Sequence, residues 1–169
     1  MPKVSVIVSV YNDGRYIKQC LRSLISQVDV EKEILVIYDE GSKDNSYEEI
    51  MSFEGIENVR VFSVPHCTIG KALNFGLFKA RGEIIAYAEA DKEYFPMWLT
   101  TVEYLQAHPN VKAVGTLSTY PKPSTFLGRC MVESKKLEKR DIEKETSRCI
   151  GDIFIEKIFC LRLEDGMKN

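Results

Sequence analysis

Val4-Ser5-Val6-Ile7-Val8-Ser9-Val10 runs directly into Tyr11-Asn12-Asp13-Gly14, and this strand-and-turn pairing decides the fold. Apolar β-branched residues occupy positions of both parities, so the run has no wholly polar face. A strand of that kind is expected to be buried on both sides, as strands of parallel sheets are. Polar turn residues then stop it. Beyond the turn, Tyr16, Ile17, Cys20, Leu21, Leu24 and Ile25 recur at helical spacing, which predicts a helix over 16–25. The same alternation continues down the chain. Strands are expected at Ile34–Tyr38, Val59–Val64, Ile84–Ala88 and Val111–Leu117. Helices are expected at Ser46–Phe53, capped by Asp44 or Asn45, at Gly70–Ala80, and at Pro96–Ala107, stopped by His108-Pro109. Strands alternating with helices imply an α/β fold with a mostly parallel sheet flanked by helices.

Ligands of such sheets bind beyond the carboxyl ends of the strands. Polar clusters fall at those ends: Ser9 to Asn12, Asp39 to Asp44, and Glu89 to Lys92. The last cluster closes an apolar strand with two carboxylates one residue apart, Glu89 and Asp91. Gathered carboxylates are costly unless a cation or donor neutralises them. A hard ion such as Mg2+ or Mn2+, itself holding phosphate oxygens, is the natural partner. Solvated acids at a strand end would give the same letters.

Composition narrows the class. The chain has 169 residues, 44% of them hydrophobic, enough for one domain with a real core. A net charge of −2 gives no signal for nucleic acid. The five cysteines, Cys20, Cys67, Cys130, Cys149 and Cys160, form no CxxC pair, so neither zinc nor a disulfide framework is indicated. Reduced thiols and an opening that runs straight into a strand lead us to expect a cytoplasmic protein without a signal peptide. No apolar stretch is long enough to span a bilayer. His66 and His108 are too few for a histidine-rich metal site.

After Thr119 the character changes. Tyr120-Pro121-Lys122-Pro123-Ser124 reads as a loop, and 134–147 is densely charged, as a solvated helix or loop would be. Ile150–Leu163 is mixed apolar and is expected to form a terminal helix, with Glu164-Asp165-Gly166 beyond it.

These motifs, taken in order, resemble the family 2 glycosyltransferases, inverting GT-A enzymes that use nucleotide sugars. Val4 to Asn12 looks like the family's opening strand. Tyr16 to Gln27 looks like its first helix. Glu33-Ile34-Leu35-Val36-Ile37-Tyr38-Asp39-Glu40-Gly41-Ser42-Lys43-Asp44 is similar to the Asp-Asp-Gly-Ser-x-Asp segment. Gly70-Lys71-Ala72-Leu73-Asn74-Phe75-Gly76 and Ala80-Arg81-Gly82-Glu83 match the approach to the metal strand, and Glu89-Ala90-Asp91 stands at the Asp-x-Asp position. The likeness covers residues 3 to about 117.

The resemblance implies a GT-A, Rossmann-like core over 1–117 and a short, divergent, charged segment over 118–169, where the family carries its longer acceptor-binding half. It implies that Ser9, Tyr11, Asn12 and Asp39 hold the base and ribose of a UDP-type donor. Tyr11 would stack on the base unless it is a core aromatic. Lys71 would approach the phosphates unless it is simply a surface lysine. Asp91 would bind Mn2+ or Mg2+, with Glu89 on the ribose or on the metal through water. The catalytic base usually lies in an acidic pair of the second half, and Glu164-Asp165 is the pair present there, unless both are only terminal acids. The expected reaction is transfer of a sugar to a glycan, lipid or protein acceptor, as in polysaccharide biosynthesis, with a peripheral membrane or protein partner in reserve. A non-catalytic nucleotide-sugar binding module is the alternative. Three departures bear on it: Glu40 and Glu89 replace aspartates, and Lys92 stands where the family often has another acid. Each Glu keeps the charge but lengthens the arm. The lack of a GxGxxG turn after the first strand counts against a dinucleotide binder.

Overall fold

The computed structural model describes residues 3–108, 110–111, 113–116 and 158–162. The elements are β1 (Val4–Val10), α1 (Ile17–Ile25), β2 (Lys32–Asp39), α2 (Ser46–Met51), β3 (Val59–Val64) and α3 (Ile69–Lys79). After them come β4 (Ile84–Glu89), a 3-10 turn (Trp98–Thr100), α4 (Thr101–Ala107), β5 (Ala113–Thr116) and β6 (Ile158–Arg162). The strands form one sheet in the order β3-β2-β1-β4-β6-β5. β3, β2, β1 and β4 are mutually parallel, while β6 is antiparallel to both β4 and β5.

The opening strand is buried on both faces, as its pattern requires. Val4, Val6, Val8 and Val10 enter one apolar layer with Ile17, Cys20, Leu21 and Leu24 of α1. Ile7 enters the other, with Leu35, Ile37, Ile85 and Ala72 of α3. Gly76 lets α3 lie close to the sheet, because a Cβ there would sit 2.5 Å from Ile7 Cγ2.

The structure departs from the expected elements in places. Ile150–Leu163 does not form a terminal helix through its last turns, because Ile158–Arg162 is a strand. Ile-Phe-Cys-Leu is a short apolar run of strand-forming residues, and periodicity alone does not separate such a run from a helix. Within the stretch expected as the strand Val111–Leu117, the described strand is Ala113–Thr116, and it lies beyond β6 at the edge of the sheet. The helix expected from Pro96 begins instead as the 3-10 turn at Trp98. Among the described residues, no helix is long and apolar enough to cross a membrane, and Cys20 and Cys67 are free thiols.

The end of the sheet away from the carboxyl rim is tied by a buried charge. Glu33, 4% exposed, accepts from Ser5 Oγ at 2.6 Å, Arg81 N at 2.6 Å and Arg60 Nη1 at 2.7 Å. Burial pushes its carboxyl up, but these hydrogen bonds and the Arg60 charge outweigh that and hold it below the ordinary value.

Candidate functional site

Strand order reverses at β1, with β2 and β3 to one side and β4 to the other. The carboxyl ends of β1, β2 and β4 therefore flank the crevice where α/β sheets bind ligands. Ser9 lies in register with Ile37 on one neighbour and Glu89 on the other. Side chains in register share a face, and Ile37 packs in the α3 layer. Asp39, two residues after Ile37, points the same way. Ser9, Asp39 and Glu89 thus line the rim on the face covered by α3, whose first turn carries the exposed Lys71.

At one end of this rim stands a cluster that the sequence did not reveal. Asp39 is 4% exposed. Its carboxylate accepts from Gly41 N at 2.7 Å and Cys67 N at 3.0 Å, and His66 Nδ1 lies 3.0 and 3.2 Å from its two oxygens. Burial would raise its pKa, but the main-chain donors and His66 bring it below the ordinary carboxylate value. The ring of Tyr11, half exposed, lies 5.0 Å from that of His66. Tyr11 is therefore a rim aromatic and not a core one. His66 was legible only as a lone loop histidine, since its partner is 27 residues away in sequence.

Asn12 serves the loops. It adopts φ 58°, a left-handed conformation that asparagine tolerates. Its N–H donates to Ser42 Oγ at 3.2 Å, and its Oδ1 accepts from Lys43 N at 2.7 Å. Asp44 accepts from Gly14 N at 2.8 Å and Ser46 N at 3.1 Å, so it supports the start of α2 while tying in the first loop. Asn45, the cap residue by position, makes no side-chain cap hydrogen bond.

At the other end are the acids. Lys92 Nζ lies 3.4 Å from Glu89 Oε2 and 3.7 Å from Asp91 Oδ2, an ammonium set against both carboxylates. Tyr94 fixes the turn: its hydroxyl accepts from Glu89 N at 2.7 Å and lies 3.2 Å from Glu89 O. Asp13 is near enough to feel Asp91 and Asp44, and burial foremost pushes its carboxyl up. Cys20, buried beneath, is pushed up to about 12 by burial and then by Asp91 and Asp13, which leaves it an inert thiol. Among the described residues, no three His, Cys, Asp or Glu side chains gather to hold a metal alone. Two exposed carboxylates are nonetheless the hard-oxygen donors that share a divalent ion with a diphosphate, so the donor chemistry fits such an ion. Glu164 and Asp165 lie outside the described residues.

Known proteins resemble this chain in sequence and fold. A YibD protein of Escherichia coli (strain K12), described as an uncharacterized glycosyltransferase, is 36% identical over 101 residues, 59% of this chain and 29% of its own length. An uncharacterized glycosyltransferase of Rickettsia felis is 34% identical over 95 residues, 56% of this chain and 16% of its own. The chain thus spans under a third of these relatives. Among solved structures, the mannosyltransferase PcManGT from Pyrobaculum calidifontis, in complex with GDP-Man and Mn2+, has 28% identity and a TM-score of 0.59. That match covers 70% of this chain and 36% of that one. S. aureus TarS 1-349 in complex with UDP shares the fold at 24% identity and a TM-score of 0.59, over 73% of this chain and 39% of its own. The family model for glycosyl transferase family 2 matches residues 5–162, nearly the whole chain, and on that match the chain belongs to glycosyl transferase family 2.

Proposed function

We propose that the chain transfers a sugar from a UDP-linked donor to a hydroxyl of a glycan, lipid or protein, with inversion, in a cytoplasmic polysaccharide-building role. The observation that carries this reading is the layout of the rim. An aromatic and an anchored Asp39–His66 pair stand at one end, two carboxylates stand at the other, and Ser9 lies between them on one face of the sheet. The nucleoside would lie across Tyr11 and the Asp39–His66 pair, with Ser9 and Asn12 beside the ribose. The diphosphate would then run toward Glu89 and Asp91. GDP-Man and UDP in the solved relatives support a donor of this class.

Asp91 would hold Mn2+ or Mg2+, with Glu89 on the ribose or reaching the ion through water. When bound, the ion supplies charge stabilisation for the departing diphosphate. The protein's own residues do the rest. Lys71, in the first turn of α3, and Lys92 offer ammonium groups to phosphate oxygens. Tyr94 keeps the acidic turn in place. In the transfer, the acceptor oxygen bonds to the anomeric carbon as the bond to the diphosphate oxygen breaks, and a carboxylate takes the acceptor's proton. Glu164 and Asp165 are our sequence candidates for that base.

Calorimetric titration of UDP into the chain, with Mn2+ and with EDTA, tests the reading. Metal-strengthened binding that Asp91→Ala abolishes, and loss of UDP binding in Asp39→Ala, are the expected results. UDP affinity unchanged in Asp39→Ala would remove the nucleoside from this end of the rim.

A further inference from the structure

Which side chain meets the nucleobase is a question the Asp39–His66 geometry answers unexpectedly, and the answer rests on the nucleotide-binding reading above. Asp39 is 4% exposed and already committed to Gly41 N, Cys67 N and His66 Nδ1. A carboxylate so buried and so bonded has little capacity left for a ligand. His66 is the reverse. Its side chain is 62% exposed, Nδ1 turns inward, and Nε2 has no hydrogen-bond partner among the described residues. The loop leaves room for this pose only because residue 41 is glycine. A Cβ there would meet His66 Nδ1 at 2.6 Å and Asp39 Oδ1 at 2.9 Å.

The bond made by one ring nitrogen decides the role of the other. Nδ1–H donated to Asp39 leaves Nε2 of the neutral ring with a bare lone pair facing outward. We propose that His66 Nε2, and not the Asp39 carboxylate, reads the nucleobase by accepting a ring N–H. Uracil and guanine carry such a ring N–H; cytosine and adenine present an acceptor nitrogen in its place. Asp39 is then a positioning residue that fixes the tautomer and tilt of the ring, and Tyr11 bounds it on one face.

The test is calorimetric titration of UDP, GDP, CDP and ADP, in mildly alkaline buffer, into the full 169-residue chain and its His66→Asn variant. Asparagine places an amide N–H near the former Nδ1, so Asp39 keeps a donor, but it has nothing at the Nε2 position. The wild-type chain is expected to bind UDP or GDP about tenfold or more tightly than CDP and ADP. The variant, with an unchanged thermal midpoint, is expected to lose that preference and about tenfold in affinity for the favoured nucleotide. UDP methylated at N3 tests the same contact on the unaltered chain and is expected to bind about tenfold more weakly than UDP. A variant that keeps wild-type affinity and preference overturns the assignment to His66 while leaving nucleotide binding intact. So does a wild-type chain that favours CDP or ADP, or one that binds N3-methyl UDP as well as UDP. A folded wild-type chain that binds none of the four overturns the nucleotide-binding reading itself.

Discussion

Tyr94 governs the acidic turn through the main chain. Its ring packs 4.4 Å from that of Trp98, it is 4% exposed, and its hydroxyl bridges the N–H and C=O of Glu89. Tyr94→Phe keeps the packing and strands the Glu89 N–H. We expect a loss of about 1–3 kcal/mol in urea unfolding, together with weaker UDP binding because Glu89 is no longer aimed. Gly41→Ala should behave differently. Its Cβ strikes the His66 ring and Asp39, so UDP affinity is expected to fall by about tenfold or more while the thermal midpoint moves little. Both residues illustrate what single letters conceal. The rim positions of Asp39, Glu89 and Asp91 were legible because polar residues that end an apolar strand fall at the carboxyl end of such a sheet. His66 and Tyr94 were not, because a loop histidine and an aromatic after a turn acquire meaning only from what the fold sets beside them.

At the level of elements, α1 does more than cover the sheet. Ser23 Oγ accepts from Tyr94 N at 3.0 Å, and Gln27, 4% exposed, donates to Phe95 O at 2.6 Å and accepts from Leu99 N at 3.1 Å. Ser23 of α1 and Gln27 just beyond the helix thus brace the segment after the acids. On the other face, Gly76→Ala would press a methyl into Ile7. Overpacking of about 1–3 kcal/mol opposes a gain of about 1 kcal/mol in helix propensity, and we expect a net loss in urea unfolding. Acid should weaken the loop anchors. Asp39 and Asp44 are both held below the ordinary carboxylate value, against burial, by hydrogen bonds from Cys67, Gly41 and His66 and from Ser46 and Gly14. The folded chain therefore binds fewer protons than the unfolded one at mildly acid pH. Their contribution is complete above about pH 4, the unfolded carboxylate value, and drains away as pH falls through the lower folded values. Asp13, pushed up by burial, opposes this. Thermal midpoints measured against pH should show the acid limb, and Asp44→Asn should flatten it. The parallel strands were readable as elements because each carries a long apolar run. β6 was not, since five residues cannot distinguish strand from helix and its neighbours β4 and β5 lie far back in the chain.

For the described sheet as a whole, position sets the order of opening. β1 is flanked by β2 and β4 and covered on both faces, whereas β3 is an edge strand of mostly half-buried residues. Native-state hydrogen exchange should find the slowest amides in β1, β2 and β4, protected until the whole sheet unfolds, and faster exchange in β3. Equal protection in β3 would mean that its outer edge is covered. The parallel pairing of β1 to β4 follows from the alternating pattern of the first half. Their order, with its reversal at β1, and the antiparallel return of β6 do not.

Glu33 carries a consequence for genetics. It sits at the opposite end of the sheet from the carboxyl rim, yet Ser5, Arg60, Arg81 and Gly82 all converge on it or on Ser5, and Gly82 N lies 2.8 Å from Ser5 Oγ. Leaving this buried charge without its partners costs as much as a core lesion. A screen for inactive alleles would therefore collect two groups of positions from the same strands, one at each end. Alleles at the Glu33 end should lower the amount of protein in the cell, and those at the rim should leave it unchanged. Immunoblotting each allele would sort the two groups without an assay for the acceptor.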